Sequence, residues 1–170
     1  MQERESLLWN MIRFAPESQH KKLETILLDR FWDEEIFENG IEDLFDPYLM
    51  CDMQKAVARI KRAKENQEKV IIFGDYDVDG VTATSLLMHL FTTLGMAVSY
   101  RLPHRVHDGY GLKHKFIDEL APLWVTLIVT VDCGSRDREI VTYAKTLGID
   151  IIVTDHHHVP EDMPDDAVAF

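Results

Sequence analysis

The chain has 170 residues, of which 46% are hydrophobic, and a formal net charge of −12. This length suits one domain of ordinary size, and the apolar fraction is sufficient for a packed core, which excludes a disordered chain. The acidic balance excludes a surface that holds nucleic acid unaided, although carboxylates clustered at a metal site count as negative charge until their cations bind.

The first part of the chain, residues 1–69, shows the apolar spacing of amphipathic helices. The apolar positions are Leu7, Leu8, Met11 and Ile12, then Leu23, Ile26 and Leu27, then Met53, Ala56, Val57 and Ile60. Asp52 is the predicted side-chain cap of the third helix. We therefore interpret residues 1–69 as a helical amino-terminal segment that precedes a second region, residues 70–170.

The second region alternates strand-like and helix-like patterns. Short apolar runs rich in β-branched residues predict strands at 70–73, 97–101, 126–131 and 149–154, and the first three lead into helical patterns. This rhythm predicts an α/β fold, a Rossmann-like parallel sheet with flanking helices. Open parallel sheets bind their ligands at the carboxyl ends of their strands, so the loops after these strands are the expected site.

The loop after the first strand, GDYDVDG at 74–80, places acids at alternate positions, Asp75, Asp77 and Asp79. Side chains two residues apart in extended chain point the same way, so three carboxylates can face one spot. Unpaired carboxylates would repel one another, whereas Mg²⁺ or Mn²⁺ prefers such oxygen ligands. A divalent metal site is the favoured interpretation, and a solvated acidic loop is the alternative.

The same motif does not match an EF-hand calcium loop. An EF-hand lies between helices and ends in a bidentate Glu, whereas the corresponding position here is Leu86. Gly74 and Gly80 are expected to permit tight turns on either side of the acids.

The loop after the fourth strand, TDHHH at 154–158, combines one acid with consecutive imidazoles. Asp155 and His156 offer an oxygen and a nitrogen ligand, and an added imidazole favours Mn²⁺. His157 is then free for proton transfer or for support of a ligand. We assign no role to His158, which begins a turn.

The loop after the third strand, VDCG at 131–134, is ambiguous by itself. Asp132 is either a metal ligand beside the other acids or the cap of a helix that starts near Asp137. Cys133 is interpreted as a packing residue, since no base is placed to activate it. Cys133 and Cys51 show no CxxC spacing, which argues against a disulfide framework or a zinc site.

The loop after the second strand, PHRVHDGYG at 103–111, permits two interpretations. His104 and Arg105 can meet an anionic group of a substrate. Alternatively the loop is structural, with Tyr110 packed inside and Asp108 capping a turn.

In their order and spacing, GDYDVDG, PHRVHDGYGL, VTVDCG and VTDHHHVP resemble the DHH phosphoesterase superfamily, and within it the RecJ-type single-strand-specific DNA exonucleases. FDPYLMCDMQKAVARI, at 45–60, is similar to the segment before the first motif of those enzymes. The resemblance therefore covers roughly residues 40–170.

The resemblance implies a role for each matching residue. It implies two Mn²⁺ or Mg²⁺ ions that share Asp132, and catalytic roles for Asp79, Asp132 and His157. Contact with a substrate phosphate is implied for Arg105, with His104 beside it. The implied metal ligands are Asp75, Asp77, Asp79, Asp132, Asp155 and His156.

The implied activity is 5′→3′ hydrolysis of single-stranded DNA to 5′-mononucleotides, in DNA repair and recombination. Single-strand-binding protein and a helicase are implied partners. The family's fourth acidic motif and later domains are expected beyond Phe170, so the 170 residues alone are expected to bind metal without exonuclease activity.

Two other functions are kept as alternatives. One is a DHH phosphoesterase that cuts short oligonucleotides, cyclic dinucleotides or pyrophosphate, and the other is a non-enzymatic scaffold built on a degenerate nuclease core. No apolar run approaches the length of a membrane span, and the amino terminus lacks the charge order of a secretory signal, so a cytoplasmic location is expected.

Overall fold

The structure, a computed structural model, describes residues 44–158. The predicted helices around Leu7 and Leu23 lie outside the described residues. The chain divides into two compact units, Met1–Asp46 and Pro47–Phe170, and every element below belongs to the second. The division differs from the predicted boundary at residue 69, because the third predicted helix belongs to the same unit as the sheet.

The second unit alternates helices and strands. Two short 3₁₀ turns are formed by Pro47–Leu49 and Ala121–Leu123. The main elements are α1 (Met53–Glu65), β1 (Lys69–Gly74), α2 (Val78–Thr93), β2 (Ala97–Arg101), α3 (His114–Leu120), β3 (Val125–Val131), α4 (Arg138–Thr146) and β4 (Asp150–Thr154).

The strands form a four-stranded parallel sheet in the order β2-β1-β3-β4. The predicted α/β fold with flanking helices is therefore confirmed. The chain runs from β1 to β2 on one side and then crosses to β3 on the other side of β1. This reversal creates a topological switch point between the carboxyl ends of β1 and β3, where open α/β sheets place their ligands.

The core lies on both faces of the sheet because neighbouring strand residues point to opposite faces. On one face, Ile72 and Leu127 pack with Ala56 and Ala63 of α1 and with Phe91 of α2. The other face packs against α3 and α4, and its cluster includes Phe73, Phe116, Ile128, Val141 and Val153. Burial on both faces explains why the strands are continuous apolar runs.

The prediction that Asp52 caps α1 is wrong. Asp52 precedes the helix but makes no capping hydrogen bond through its side chain. Its backbone is left-handed, with φ of 55°, whereas a capping residue normally has extended backbone. Its carboxylate instead lies 2.7 Å from Lys55 Nζ.

No helix within residues 44–158 is both long enough and apolar enough to cross a membrane.

Candidate metal centre

The first acidic loop joins β1 to α2 at the switch point. Asp75 follows β1 directly and is only 4% exposed. Asp77 caps α2, and its Oδ1 accepts a hydrogen bond of 3.1 Å from the backbone N–H of Gly80. Asp79 lies exposed in the first turn of the helix. The helix cap therefore fixes Asp77 beside the buried Asp75.

The glycines around these acids allow close packing rather than tight turns. Neither has a positive φ. A Cβ at Gly74 would lie 2.1 Å from Thr84 Oγ1, and one at Gly80 would lie 2.4 Å from the backbone of Asp75. The turn explanation from the sequence is therefore wrong, because the two glycines are required by the close approach of α2 to the end of β1.

The third strand ends at Asp132, which has an unusual backbone conformation. Its φ is +61°, in the left-handed region, and the residue is buried, with 7% of its surface exposed. Such a conformation in a residue other than glycine costs about 1–3 kcal/mol and persists where the surroundings enforce it. Here the backbone N–H of Asp132 donates a hydrogen bond of 2.9 Å to the carbonyl oxygen of Thr154, the last residue of β4.

The structure excludes one of the two interpretations of Asp132, that of a helix cap, and ligation by Asp132 stays a prediction. Helix α4 begins at Arg138 with Asp137 in the capping position, so Asp132 does not cap it. Cys133 next to it is buried, its Sγ lies 3.7 Å from the carbonyl oxygen of Phe73, and burial raises its pKa. A buried neutral thiol agrees with the packing role predicted for Cys133.

Asp132 is shared by two groups of potential ligands. One group is Asp75, Asp77 and Asp132, and the other is Asp132, His156 and His157. Within each group the candidate ligand atoms lie within 4.8 Å of one another. His156 Nε2 is 2.9 Å from Asp132 Oδ1. The fold thus brings together acids and imidazoles that follow three different strands.

The charges and unpaired oxygens of this cluster fit divalent cations. Among the described residues, the buried Asp75 Oδ1 and Asp132 Oδ2 accept no hydrogen bond. A buried acceptor left unpaired costs about 1–3 kcal/mol, and more when it is charged. Burial and the neighbouring Asp77 raise the pKa of Asp132. The pKa of Asp77 is lowered, mainly because its carboxylate accepts a hydrogen bond from the backbone N–H of Gly80. Hard cations such as Mn²⁺ or Mg²⁺ would satisfy these oxygens.

Two predicted ligands lie outside both groups. Asp79 is exposed on α2, and the carboxylate of Asp155 is already occupied by hydrogen bonds. Its Oδ2 accepts from the Ser135 N–H at 3.1 Å and from the Ser135 hydroxyl at 2.6 Å. Its Oδ1 accepts from the His157 N–H at 3.1 Å and lies 2.7 Å from His157 Nδ1. Metal ligation by these two acids stays a prediction.

Sequence reasoning missed two residues that surround His157. The hydroxyl of Tyr110, predicted only to pack, lies 3.2 Å from the carbonyl oxygen of Asp132 and 3.2 Å from His157 Nδ1. Ser135 belongs to none of the sequence motifs. Its position three residues after a strand-end acid is the local signal that points to it.

The loop after β2 brings Arg105 to the site. The guanidinium carbon of Arg105 lies 4.4 Å from the centre of the Tyr76 ring, and its charge contributes to the lowered pKa of Asp77. The neighbouring His104 helps to build the loop, because its Nδ1 accepts from the Val106 N–H at 3.2 Å. The backbone N–H of His104 donates a hydrogen bond of 2.7 Å to Asp108 Oδ2. Asp108 therefore caps a turn, as the structural alternative predicts.

Comparison with known proteins gives consistent results. Residues 69–170 match the model of the DHH family, N-terminal domain. The chain is 41% identical over 123 residues to the single-stranded-DNA-specific exonuclease RecJ of Bacillus subtilis (strain 168), covering 72% of this chain and 16% of that protein. It is 34% identical over 128 residues to RecJ of Escherichia coli (strain K12), covering 75% of this chain and 22% of that protein. The chain thus spans less than a quarter of the length of either relative.

Solved structures agree. A crystal structure of exonuclease RecJ bound to manganese matches with a TM-score of 0.66 and 31% identity, over 71% of this chain and 31% of that one. RecJ from Thermus thermophilus in complex with Mn²⁺ matches with a TM-score of 0.62 and 26% identity, over 74% of this chain and 17% of that one. The resemblance seen in the sequence motifs is confirmed, and the chain belongs to the DHH family through that family's amino-terminal domain.

Proposed function

We propose that this chain forms the metal-dependent phosphodiesterase centre of a 5′→3′ exonuclease that hydrolyses single-stranded DNA to 5′-mononucleotides. One observation carries the proposal. Asp75 and Asp132 each bury a carboxylate oxygen that accepts no hydrogen bond from residues 44–158, at the switch point between β1 and β3. The relatives named as single-stranded-DNA-specific exonucleases support the choice of substrate.

The proposed metal ligands are Asp75, Asp77, Asp79, Asp132 and His156. The first two and Asp132 form one group, and His156 approaches Asp132 from the end of β4. The manganese-bound relatives support Mn²⁺ as one cation, and Mg²⁺ suits the same oxygen ligands. When bound, divalent cations offset the charge of a phosphate and lower the pKa of a coordinated water.

The proposed transfer of protons and stabilisation of charge at the phosphate involve side chains of the protein. His157 lies at the rim of the cluster with its side chain 43% exposed, where its protonated ring can donate from Nε2 a hydrogen bond to a phosphoryl oxygen or a proton to the departing 3′ oxygen. Its fixed position matters because stabilisation of developing charge depends on donors that are in place before the reaction.

Arg105 is proposed to bind a substrate phosphate, with His104 beside it. Its exposed guanidinium can form paired charge-assisted hydrogen bonds to phosphate oxygens. Stacking on Tyr76 holds it next to Asp77, so a phosphate bound by Arg105 would lie beside the acidic cluster.

The proposed setting is DNA repair and recombination in the cytoplasm, with single-strand-binding protein and a helicase as partners. These assignments follow from the proposed exonuclease activity, since a single-strand-specific nuclease requires unwound DNA.

The test is a degradation assay on the full-length gene product. With Mn²⁺ and a 5′-phosphorylated single strand, we expect 5′-mononucleotides to be released in order from the 5′ end, and blunt duplex DNA to be resistant. The Asp77→Asn and Asp132→Asn variants should lose this activity, whereas Asp118→Asn, a surface acid bonded to Tyr143, should retain it.

The alternatives give different results in the same assay. Faster hydrolysis of dinucleotides or cyclic dinucleotides than of long strands would replace the proposal by the small-substrate phosphoesterase. Mn²⁺ binding without hydrolysis of either substrate class would favour the scaffold.

A further inference from the structure

The ring of His157 is held by a chain of hydrogen bonds that starts in a different loop, 20 residues before Asp155 in the sequence. Ser135, 1% exposed in the loop after β3, donates both its N–H and its hydroxyl to Asp155 Oδ2. The other oxygen of Asp155 faces His157 Nδ1 at 2.7 Å. Tyr110 approaches the same Nδ1 from the loop after β2.

The side chain of Asp155 is placed to orient His157. It is 1% exposed, and its two oxygens together have four hydrogen-bonding partners, two from Ser135 and two from His157. A carboxylate offers about four lone-pair sites. A cation bound to Asp155 would therefore have to displace one of these donors, whereas Asp75 and Asp132 each present an oxygen that accepts no hydrogen bond within the described part of the chain.

The same contacts define the orientation and tautomer of His157. A carboxylate only accepts hydrogen bonds, so Nδ1 of His157 must carry the proton that faces Asp155. The Tyr110 hydroxyl then donates to the carbonyl oxygen of Asp132, 3.2 Å away, and its oxygen shares the Nδ1 proton. The rings of Tyr110 and His157 meet edge to face, with centroids 5.6 Å apart and an interplanar angle of 72°. Nε2 is left as the nitrogen that faces a substrate, and it carries a proton to donate only in the charged ring.

We propose that Ser135, Asp155 and Tyr110 are positioning residues that fix the ring and tautomer of His157, and that Asp155 serves this role instead of binding metal. The proposal rests on the proposed function in taking His157 as the group that faces the phosphate. It assigns a role to Ser135, which no sequence motif singled out, and to Tyr110, which was predicted only to pack, and it replaces the predicted role of Asp155.

The first test separates positioning from ligation by calorimetric titration with Mn²⁺. Asp155→Asn should bind Mn²⁺ as tightly as the parent protein, whereas Asp132→Asn should bind it at least about tenfold more weakly. Equal losses of affinity in the two variants would show that Asp155 is a ligand and would overturn the proposal.

The second test observes His157 directly by ¹⁵N NMR of its imidazole in the metal-free protein, at a pH where the ring is neutral. His157→Gln identifies the signals. The parent should show the tautomer with the proton on Nδ1, and Asp155→Asn, Ser135→Ala and Tyr110→Phe should each increase the Nε2–H form. A parent ring protonated on Nε2, or a tautomer ratio unchanged in all three variants, would overturn the proposal.

Matched controls remove the same atoms elsewhere. Ser85→Ala deletes a serine hydroxyl bonded within α2, and Tyr143→Phe deletes a tyrosine hydroxyl bonded to Asp118. Neither should change the His157 signals. Because Ser135 is buried, Tyr110→Phe at a half-buried position provides a second variant should Ser135→Ala fail to fold.

The two tests do not depend on DNA hydrolysis, so they decide this inference even if the proposed exonuclease activity fails. Where the activity is present, Ser135→Ala and Tyr110→Phe should lower kcat with little change in KM, because the positioned ring acts in the transition state. A rise in KM at unchanged kcat would instead assign both residues to substrate binding.

Discussion

Asp75 and Asp132 follow the two central strands of the sheet, and each buries one carboxylate oxygen that accepts no hydrogen bond from the described residues. Their candidate ligand atoms, with that of Asp77, lie within 4.8 Å of one another. Both burial and the nearby Asp77 disfavour ionisation of Asp132, so the pKa of Asp132 is raised. We therefore expect this cluster to gain stability from a bound cation.

Mn²⁺ should bind to this cluster and raise the thermal stability of the protein. At a free Mn²⁺ concentration of about 100 times Kd, mass action adds about 2.7 kcal/mol to the free energy of unfolding. Asp132→Ala should abolish most of this gain, and Asp118→Ala should preserve it. Calorimetric titration and thermal melts measure the effect, and Mn²⁺ binding as tight in Asp132→Ala as in the parent would contradict the proposed site.

The Asp132→Asn variant should change stability in opposite directions with and without metal. In chelator, the folded protein has a raised Asp132 pKa, so the ionised carboxylate destabilises it as the pH rises above the unfolded pKa. Asparagine removes that charge, and the variant should be more stable than the parent at pH 7. In saturating Mn²⁺ the order should reverse. Urea unfolding under both conditions is the measurement, and a variant less stable in chelator would be the contrary result.

Arg105→Ala should weaken binding of 5′-phosphorylated single strands by the protein in the length that its gene encodes. Loss of one phosphate contact should reduce the slope of log K against log salt by about 0.7. Arg62→Ala removes the same charge beside Asp150, at the opposite edge of the sheet, and should leave the slope unchanged. Fluorescence anisotropy across a salt series is suitable, and an unaltered slope in Arg105→Ala would assign Arg105 to loop packing.

Glu68 should contribute stability that depends on pH and is independent of the metal centre. Burial opposes its ionisation, but hydrogen bonds from Thr126, Arg59 and Asn66 outweigh burial and lower its pKa. Because the folded pKa is lowered, the stabilisation is present above the unfolded value of about 4.3 and is lost as the pH falls through the folded pKa.

The Glu68→Gln variant tests this contribution. It should lose about 2 kcal/mol at pH 7, since its charged bonds to the nearly buried Arg59 are removed. The difference from the parent should shrink in acid. Glu119→Gln breaks an exposed pair with Arg101 and should cost less than about 1 kcal/mol. A loss that is the same at pH 3 and pH 7 would show that the ionised carboxylate is not responsible.

Gly80→Ala should weaken Mn²⁺ binding without a change in any ligand. Its Cβ would lie 2.4 Å from the backbone of Asp75, so the start of α2 must move and carry Asp77 with it. Gly95→Ala is the control, because a Cβ there meets open space and only the positive φ of 71° makes the substitution costly. Both variants should lose stability, but only Gly80→Ala should lose Mn²⁺ affinity in calorimetric titration.

The strands and the acids that follow them were determined by the sequence alone. Continuous apolar runs such as 70–73 and 126–131 can be buried only as central strands of a covered parallel sheet, and chain direction then sends Asp75 and Asp132 to the same edge. The periodicity that predicts α1 likewise depends on local spacing. These features are local in the chain, which explains why they could be predicted.

The tertiary structure decided which of these groups meet and what they do. The crossover that places β3 beside β1 joins Asp75 to Asp132, and no local pattern encodes that order. The left-handed backbone of Asp52 turned its side chain away from a capping role, and the close approach of α2 to β1 gave Gly80 its purpose. Ser135 occupies the carboxylate of Asp155 from a different loop. Hydrogen-bond partners and close contacts between distant segments depend on packing, so only the folded chain assigns them.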